Sequence, residues 1–346
     1  MAKKIIEKTL AQPVSMSESV TLIDVAKLAG VAPMTVSRVL NRPELVHSDT
    51  QRKVMEAVRT TGYVPNLLAG NLASSKSKLV AILLPTIANS IFSDTVQAMM
   101  DGLTASGYRH CSASSPIRAS ARKRWSRRFS GGVRTASCWP ARRIAKPRTS
   151  GSPAHIPVVE IWDLTDKPID MVIGFSHEEV GAQVAQHLLA KGYRKFVMVS
   201  VDDPRGLRRC ESFQREIAKH RAAKPVFEVS PAPATFQAGR EGFSRLLEKK
   251  MPEIIVCSSD TLALDVLAEA GSRGISVPRD LAVMGFGDLS SAAYAFPALS
   301  TVRVDGARIG KEAAKALLER FNAAPDTPKP VVHIDTGFTI VERQST

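Results

Sequence analysis

Residues 21–41 read TLIDVAKLAGVAPMTVSRVLN, and this stretch predicts two short helices joined by a tight turn. Thr21 is suited to cap a helix that begins at Leu22, and Gly30 can end that helix in the left-handed backbone conformation. Pro33 then takes the first position of a second helix, where its missing N–H costs little. Apolar residues recur at helical spacing and predict one buried face on each helix. These faces comprise Leu22, Val25, Ala26 and Ala29, then Val36, Val39 and Leu40.

A third helix is predicted directly downstream. Ser48 and Gln51 have the spacing of a capping box, and Gly62 can end the helix. Two helices separated by about three residues around a glycine, with a third behind them, form a helix-turn-helix unit. Such a unit presents the start of its second helix to base edges in the major groove, where an arginine such as Arg38 can donate two hydrogen bonds to guanine. A three-helix packing module with a solvated polar face is the alternative. The predicted DNA contacts of this unit are Thr21, Pro33, Met34, Thr35, Ser37, Arg38 and Asn41.

The same stretch, followed by GYVPNLLAGNLASSKS at 62–77, resembles the DNA-binding headpiece of the lactose-repressor (LacI) family. The resemblance implies that Tyr63, Asn66 and Leu72 belong to a hinge that becomes helical on operator DNA, with Leu72 inserted into the minor groove. The residues agree with this, since Gly70 and Asn71 make the segment a marginal helix on its own. An apolar wedge explains Leu72 on an exposed linker, although ordinary linker packing is the alternative.

From Leu79 onward, short apolar runs alternate with amphipathic segments. This alternation is typical of parallel sheets covered by helices. A stretch of about 270 residues is too long for a single sheet, so two α/β lobes are expected. The ligand is then expected in a cleft at the carboxyl ends of the strands.

Residues 79–108 and 156–346 resemble the effector domain of the same family, which has the periplasmic sugar-binding fold. PVVEIWDLTDKPIDMVIGFSHEEVG at 157–181 looks most like the gluconate-utilisation repressor branch. Ser259 and Gly287 depart from the family, which often has asparagine and an acid there; we therefore expect a sugar acid, whose carboxylate Arg209 can bind bidentately. Each residue carried over has an alternative role as a solvated loop charge or a lobe–lobe salt bridge. The predicted effector-binding residues are Asn89, Phe92, Glu179, Arg209, Asp260 and Asp288.

The net charge of +14 is local rather than global. Arg109–Arg148 holds 12 Lys and Arg, and no acid occurs between Asp101 and Glu160. By family analogy, 109–155 should supply two strands and two helices, but Arg, Ser, Pro, Cys and Trp follow one another there without a period. The length is nevertheless about right, and the expected pattern resumes at Ile156.

We interpret 109–155 as the product of a frameshift that opens near Arg109 and closes near His155. In a shifted frame the first base of each codon becomes a middle base, and a middle T always encodes an apolar residue. Cys, Trp and Phe codons all begin with T, so Trp125 and Phe129 would become apolar at helical spacing. A genuine basic insertion and a solvated disordered loop are the alternatives. If the chain exists as written, we expect the N-terminal lobe to lack two strands of its sheet.

These features together predict an all-α helix-turn-helix headpiece plus an α/β two-lobed, periplasmic-binding-protein-like effector domain. We expect a cytoplasmic homodimeric regulator, usually a repressor, that binds palindromic double-stranded operator DNA and a small sugar or sugar-acid effector, without cofactor, metal or membrane. A solute-binding transport protein and an enzyme with a regulatory helix-turn-helix are the alternatives; G-x-S-x-G, P-loop and H-E-x-x-H motifs are missing from the sequence. The expected boundaries are a disordered tail at 1–19, the helix-turn-helix domain at 20–62, the hinge at 63–78, and the effector domain at 79–346, with an N-terminal lobe at 79–192 and 300–325 and a C-terminal lobe at 193–299 and 326–346.

Overall fold

The computed structural model describes residues 20–63, 78–86, 90–114, 134–137, 157–220, 222–247, 252–324 and 330–346. The chain divides into two compact units, Met1–Ser75 and Lys76–Thr346. The predicted tail, most of the predicted hinge, and with them Asn66, Leu72 and Asn89 lie outside the described residues.

The first unit contains three helices, α1 (Leu22–Ala29), α2 (Pro33–Asn41) and α3 (Ser48–Thr61). Thr21 and Asp24 form a reciprocal cap on α1, and the left-handed Gly30 ends that helix. The small core of the unit consists of Val25, Ala26, Val36, Val39, Val54 and Ala57.

The capping box predicted at the start of α3 is wrong. Its N-cap is His47, and no side chain caps the helix there. Gln51 instead donates from Nε2 to the carbonyl oxygens of Pro43 (2.7 Å) and Val46 (2.8 Å). The amide therefore fixes the loop before α3 rather than the end of the helix.

The second unit contains two parallel sheets, as the alternating pattern predicts. The six-stranded sheet has the order β11-β5-β4-β3-β1-β2 and the four-stranded sheet the order β7-β6-β8-β9, while β10 and β12 form an antiparallel ribbon. The strands are β1 (Leu79–Leu84), β2 (Arg109–Ser114), β3 (Arg134–Ser137), β4 (Val158–Ile161), β5 (Met171–Gly174), β6 (Phe196–Val201), β7 (Val226–Ser230), β8 (Ile254–Cys257), β9 (Ala282–Met284), β10 (Thr301–Arg303), β11 (Val332–Asp335) and β12 (Thr339–Val341).

Helices cover both faces of these sheets, and four strands, β5, β6, β8 and β9, are buried along their whole length as a result. The helices of this unit are α4 (Ser93–Ala105), α5 (His177–Ala190), α6 (Pro204–Ile217), α7 (Phe236–Leu247), α8 (Asp260–Ser272), α9 (Ser290–Tyr294) and α10 (Gly306–Asn322).

The predicted lobe boundary near the C-terminus is wrong for one strand. Val332–Asp335 was expected in the C-terminal lobe, but it pairs in parallel with β5 at the edge of the six-stranded sheet. The half-buried alternation of this strand suits such an edge position, where one face remains solvated.

The expectation that the chain as written lacks two strands within 109–155 is also wrong. β2 pairs with β1, and β3 lies between β1 and β4. A parallel ladder is held by backbone groups, which a change of side-chain sequence leaves in place. The frameshift itself stays a prediction, which the nucleotide sequence of codons 105–158 would test.

Candidate functional site

The exposed face of α2 is the candidate nucleic-acid surface. Met34 is 69% exposed, Pro33 and Arg38 are exposed, and Thr35 and Ser37 are half-buried. Asn41 ends the helix, and its side chain lies outside the described residues. No side chain of the N-cap Ala32 caps α2, and the N–H of Thr35 donates to the carbonyl oxygen of Ala32 (2.9 Å).

Two other predicted DNA contacts have roles within the fold. Thr21 donates from Oγ1 to Asp24 (2.6 Å), and this hydrogen bond is the main cause of the lowered pKa of Asp24. Tyr63 is half-buried and packs against the headpiece core, directly after the left-handed Gly62 that ends α3. Both remain predictions as DNA contacts.

In the second unit, a strained turn after β4 carries the first group of the candidate cleft. Trp162 has a φ of 66°, a left-handed conformation that is rare for a bulky residue. Its indole Nε1 donates to Oγ1 of Thr95 (2.9 Å), which holds the turn in place. Asp163 follows; it is buried, and Oδ1 of its carboxylate has no hydrogen-bond partner among the described residues.

Three arginines come from the first turns of α6 and face this turn. Asp203 caps α6, and Pro204 takes its first position, so Arg205, Arg208 and Arg209 fall at i, i+3 and i+4 on one face. Arg208 donates from Nη2 to Oδ2 of Asp163, and its Nη1 lies 3.6 Å from Oε1 of Glu178. Burial raises the pKa of Asp163 in spite of its hydrogen bond with Arg208.

Arg209 is half-buried and is engaged by three protein groups. Nη1 lies 2.8 Å from Nδ1 of His177, Nη2 donates to the carbonyl oxygen of Ser258 (2.8 Å), and the guanidinium carbon stacks 3.7 Å from the ring centre of Phe286. Burial lowers the pKa of Arg209 to about 10.

His177 is neutral in this arrangement. A guanidinium only donates, so Nδ1 of His177 accepts from Arg209 and the proton sits on Nε2, 3.0 Å from the carbonyl oxygen of Trp162. Burial, followed by the charge of Arg209, holds the pKa of His177 well below its ordinary value. The imidazole thereby links α6 to the strained turn after β4.

Aromatic rings enclose these charges. Phe92 meets Trp162 edge to face at 5.1 Å, and Phe175 lies 5.9 Å from Trp162 and 6.1 Å from Phe286. The guanidinium carbon of Arg205 lies 5.3 Å from the centre of the Phe92 ring. A cationic group beside aromatic walls and an acceptor carboxylate can hold a small molecule that carries both an anion and hydroxyl groups.

The structure places the predicted effector residues unevenly. Phe92 and Arg209 lie in the cluster just described. Asp260 is fully buried and accepts from Oγ1 of Thr301 (2.6 Å) and from the N–H of Leu289 (2.7 Å); burial raises its pKa to about 6. Glu179 is exposed, and its carboxylate accepts from Gln183 (2.8 Å).

Asp288 forms an ion-pair network. Its left-handed backbone (φ 50°) directs the carboxylate to Nε of Arg303 and to Nη2 of Arg343, the latter at 2.7 Å. These arginines lie on and just after the β10–β12 ribbon, so the network ties the loop after β9 to that ribbon. Effector contacts of Glu179, Asp260 and Asp288 remain predictions.

The sequence reasoning missed Asp163, His177, Arg205 and Arg208. Asp163 could have been found by the signal that selects Asp260, since both follow the end of an apolar strand. The signal that could have found the arginines is Asp203-Pro204, a helix start that places them in the first two turns of α6.

Two negative findings concern the described part of the chain. No helix there is long and apolar enough to cross a membrane, and no group of three or more His, Cys, Asp and Glu is placed to hold a metal ion. A groove of about 850 Å³ lies between α4 and α10, and none of the predicted effector residues lines it.

Comparisons with known proteins agree with both halves of this architecture. Residues 21–66 match the bacterial regulatory proteins of the lacI family, and 185–346 match the periplasmic binding protein-like domain. The HTH-type transcriptional regulator GntR of Pseudomonas aeruginosa is 34% identical over 340 residues, covering 94% of this chain and 95% of that protein.

Two solved structures extend the similarity to the fold. A LacI-family transcriptional regulator from Silicibacter pomeroyi is 26% identical with a TM-score of 0.82, and the match covers 94% of this chain and 99% of that one. The lac repressor dimer bound to operator and an anti-inducer is 22% identical with a TM-score of 0.74, and the match covers 95% of this chain and 99% of that one.

The fold and the site define a DNA-binding transcriptional regulator with a helix-turn-helix headpiece and an α/β effector-binding domain. The chain belongs to the LacI family of bacterial regulatory proteins. That family consists of transcriptional regulators and is non-enzymatic, so neither the transport protein nor the enzyme considered from the sequence describes this chain.

Proposed function

We propose that this protein represses genes of sugar-acid utilisation, that it binds palindromic operator DNA as a homodimer, and that gluconate controls its affinity for DNA. The observation that carries the effector class is the arginine face of α6, set against aromatic rings and the unsatisfied carboxylate oxygen of Asp163. A carboxylate suits the guanidinium groups, and hydroxyl groups suit an acceptor that lacks a donor.

The test is a titration of operator DNA by the full-length protein with and without gluconate. A labelled operator is first selected by the protein from a library of palindromes, and its anisotropy is then followed. We expect gluconate to change operator affinity by about 5- to 150-fold, because coupling free energies of about 1–3 kcal/mol are typical. Tight DNA binding that ignores gluconate would contradict the proposed effector.

Replacement of Arg38 by alanine should weaken binding to the selected operator by roughly 10- to 100-fold, the cost of one bidentate base contact. Affinity for unrelated DNA should change little, since that affinity comes from phosphate contacts. Arg59→Ala is the matched control, because Arg59 is exposed on α3 rather than α2. If Arg38→Ala and Arg59→Ala lost the same affinity for the operator and for unrelated DNA, Arg38 would contact phosphate only.

Replacement of Tyr294 and Phe296 by aspartate should raise the dimer dissociation constant about 30-fold or more, measured by sedimentation equilibrium. These neighbouring aromatics are 89% and 97% exposed, and exposed aromatic pairs are typical of interface hot spots. Operator affinity should fall with dimerisation, because two headpieces read two half-sites. Val331→Asp, at an 83% exposed position, is the control; a double variant that stays dimeric like this control would place the interface elsewhere.

A further inference from the structure

We propose that the groove between α4 and α10 binds a second copy of this chain, and that two homodimers pair through their grooves into a tetramer. The groove has a volume of about 850 Å³ and lies on the six-stranded sheet, which both helices cover. The step from dimer to tetramer rests on the proposed homodimer. The contact itself does not, because neither operator nor effector takes part in it.

The floor of the groove consists of small and apolar side chains, where α4 and α10 approach closely. A methyl group on Gly102 would lie 3.0 Å from Cβ of Ala314, and one on Gly310 would lie 2.3 Å from the carbonyl oxygen of Thr95. Residue numbers rise together in these two contacts, so the helices run parallel. Leu318 adds the largest apolar side chain of the floor, and such a groove between two helices is open to the side chains of a partner's helices.

The two rims of the groove carry opposite charges. Asp94 and Asp101 stand on the α4 rim, Lys311 and Lys315 stand on the α10 rim, and all four side chains are exposed. In the part of the chain that the structure describes, none of the four takes part in an ion pair, although Asp101 accepts a hydrogen bond from Gln97 (2.8 Å). The charges are therefore available to a partner that presents them in the opposite order.

A second copy presents this opposite order when a two-fold axis runs along the groove. Rotation about that axis places α4 of each copy opposite α10 of the other, so that acids face lysines. An axis across the groove would place α4 on α4 and acid on acid, and like charges in contact are unfavourable. The charge pattern therefore selects a single arrangement, in which both copies use the same surface.

The register of the two helices supports this arrangement. Gly102 lies beside Ala314. Asp101, one position earlier, is therefore level with the midpoint between the two lysines of the α10 rim, and in the paired copies it reaches both lysines of the partner copy. Glu319, the remaining charged residue of the groove, lies beyond the level where α4 ends and so faces no acid of that helix.

The area of the contact fits a tetramer rather than a dimer. Since α4 has 13 residues, it is about 20 Å long, and two packed helices present a face roughly 20 Å wide. One contact then buries about 800 Å² in total, less than the roughly 1,200 Å² of a stable interface. A closed pair of homodimers makes the contact twice and buries about 1,600 Å², which is the standard size.

Sedimentation velocity of the full-length protein tests the contact. We expect tetramer to replace dimer between roughly 1 and 100 μM, because interfaces of this size without aromatic hot spots bind at the weak end of their range. Lys311→Glu/Lys315→Glu makes both rims acidic and should weaken tetramer formation about 10-fold or more, because the rims then repel each other. Asp94→Lys/Asp101→Lys makes both rims basic and should have the same effect.

A mixture of the two groove variants separates charge pairing from loss of structure. The acidic rims of one variant face the basic rims of the other, so the mixture should form tetramers although neither variant does so alone. General destabilisation does not restore association on mixing. Lys167→Glu/Lys224→Glu is the matched control, with the same change of charge at two exposed lysines outside the groove; it should form tetramers like the wild type.

Tetramers that persist unchanged in both groove variants, or a mixture that associates no more than its components, overturn the groove contact. Wild-type and variant proteins that all stay dimeric at every concentration leave the groove to a different partner and also overturn it. Groove variants that sediment as monomers would keep the groove contact but make it the homodimer interface, which contradicts the separate dimer contact at Tyr294 and Phe296.

Discussion

Replacing Gly181 with alanine should destabilise the effector domain by about 3 kcal/mol or more, because this glycine lies where α5 crosses α6 at close range. A methyl group there would lie 2.3 Å from the carbonyl oxygen of Arg209 and 2.9 Å from the backbone nitrogen of Phe213. Both atoms belong to the backbone of α6, so only separation of the two helices relieves the overlap. The melting temperature should fall by roughly 6 °C or more, measured by thermal unfolding.

The same substitution should weaken effector binding, because it pushes apart the helices that carry His177 and the arginines. Gly271→Ala is the matched control: Gly271 is also helical, on α8, and a methyl group there would contact nothing within 4 Å. That variant should gain about 0.5–1 kcal/mol through reduced backbone freedom. A Gly181→Ala protein that melts at or above the wild-type temperature would show that the helices do not need this close approach.

Replacing Asp288 with alanine should cost about 2–4 kcal/mol, measured by urea unfolding followed by tryptophan fluorescence. The variant would leave Arg343, whose side chain is 15% exposed, without its carboxylate partner. Loss of the contact with Arg303 adds less, because the side chain of Arg303 is 55% exposed and its charge is screened by water. The free energy of unfolding of Asp288→Asn should lie between those of the wild type and Asp288→Ala, since asparagine tolerates the left-handed backbone but carries no charge.

Glu241→Ala provides the comparison for an ordinary surface pair. Its carboxylate lies 3.9 Å from Arg245, and both side chains are about half exposed, so its loss should change stability by roughly 0.5 kcal/mol or less. Equal stability of the Asp288→Ala and Glu241→Ala proteins would mean that the network contributes nothing. A gluconate titration of the folded Asp288→Asn protein separately tests the predicted effector contact. A loss of binding free energy that exceeds the loss of unfolding free energy would support that contact.

The headpiece could be predicted almost completely because its signals are local. Thr21, Gly30 and Pro33 each act on residues within one helical turn, so α1 has the predicted bounds and α2 begins at the predicted Pro33. The capping box predicted for α3 failed for a different reason. Gln51 has the side chain of a capping residue, but it donates instead to two carbonyl oxygens of the preceding loop. A tertiary contact of this kind cannot be predicted from spacing.

The cleft could be predicted in outline only. The rule that ligand groups follow strand ends selects the edge of the sheets where Phe92 and Arg209 lie, but it does not tell which side chains bond to other protein groups. Asp288 and Arg209 have the charges expected of ligand contacts, yet the structure engages both with protein groups. The carboxylate oxygen of Asp163 lacks a hydrogen-bond donor because residues distant in sequence bury it, and no local sequence pattern predicts such burial.

The edge strand β11 has a consequence for how the protein is made. It pairs with β5, which lies about 160 residues earlier in the chain, and such long-range pairing is slow to form. On the ribosome, the four-stranded sheet, contained in 196–284, can be assembled while the six-stranded sheet still lacks an edge. The nascent sheet therefore presents the open backbone groups of β5 until residue 335 has emerged, and this interval is when a chaperone would be most useful.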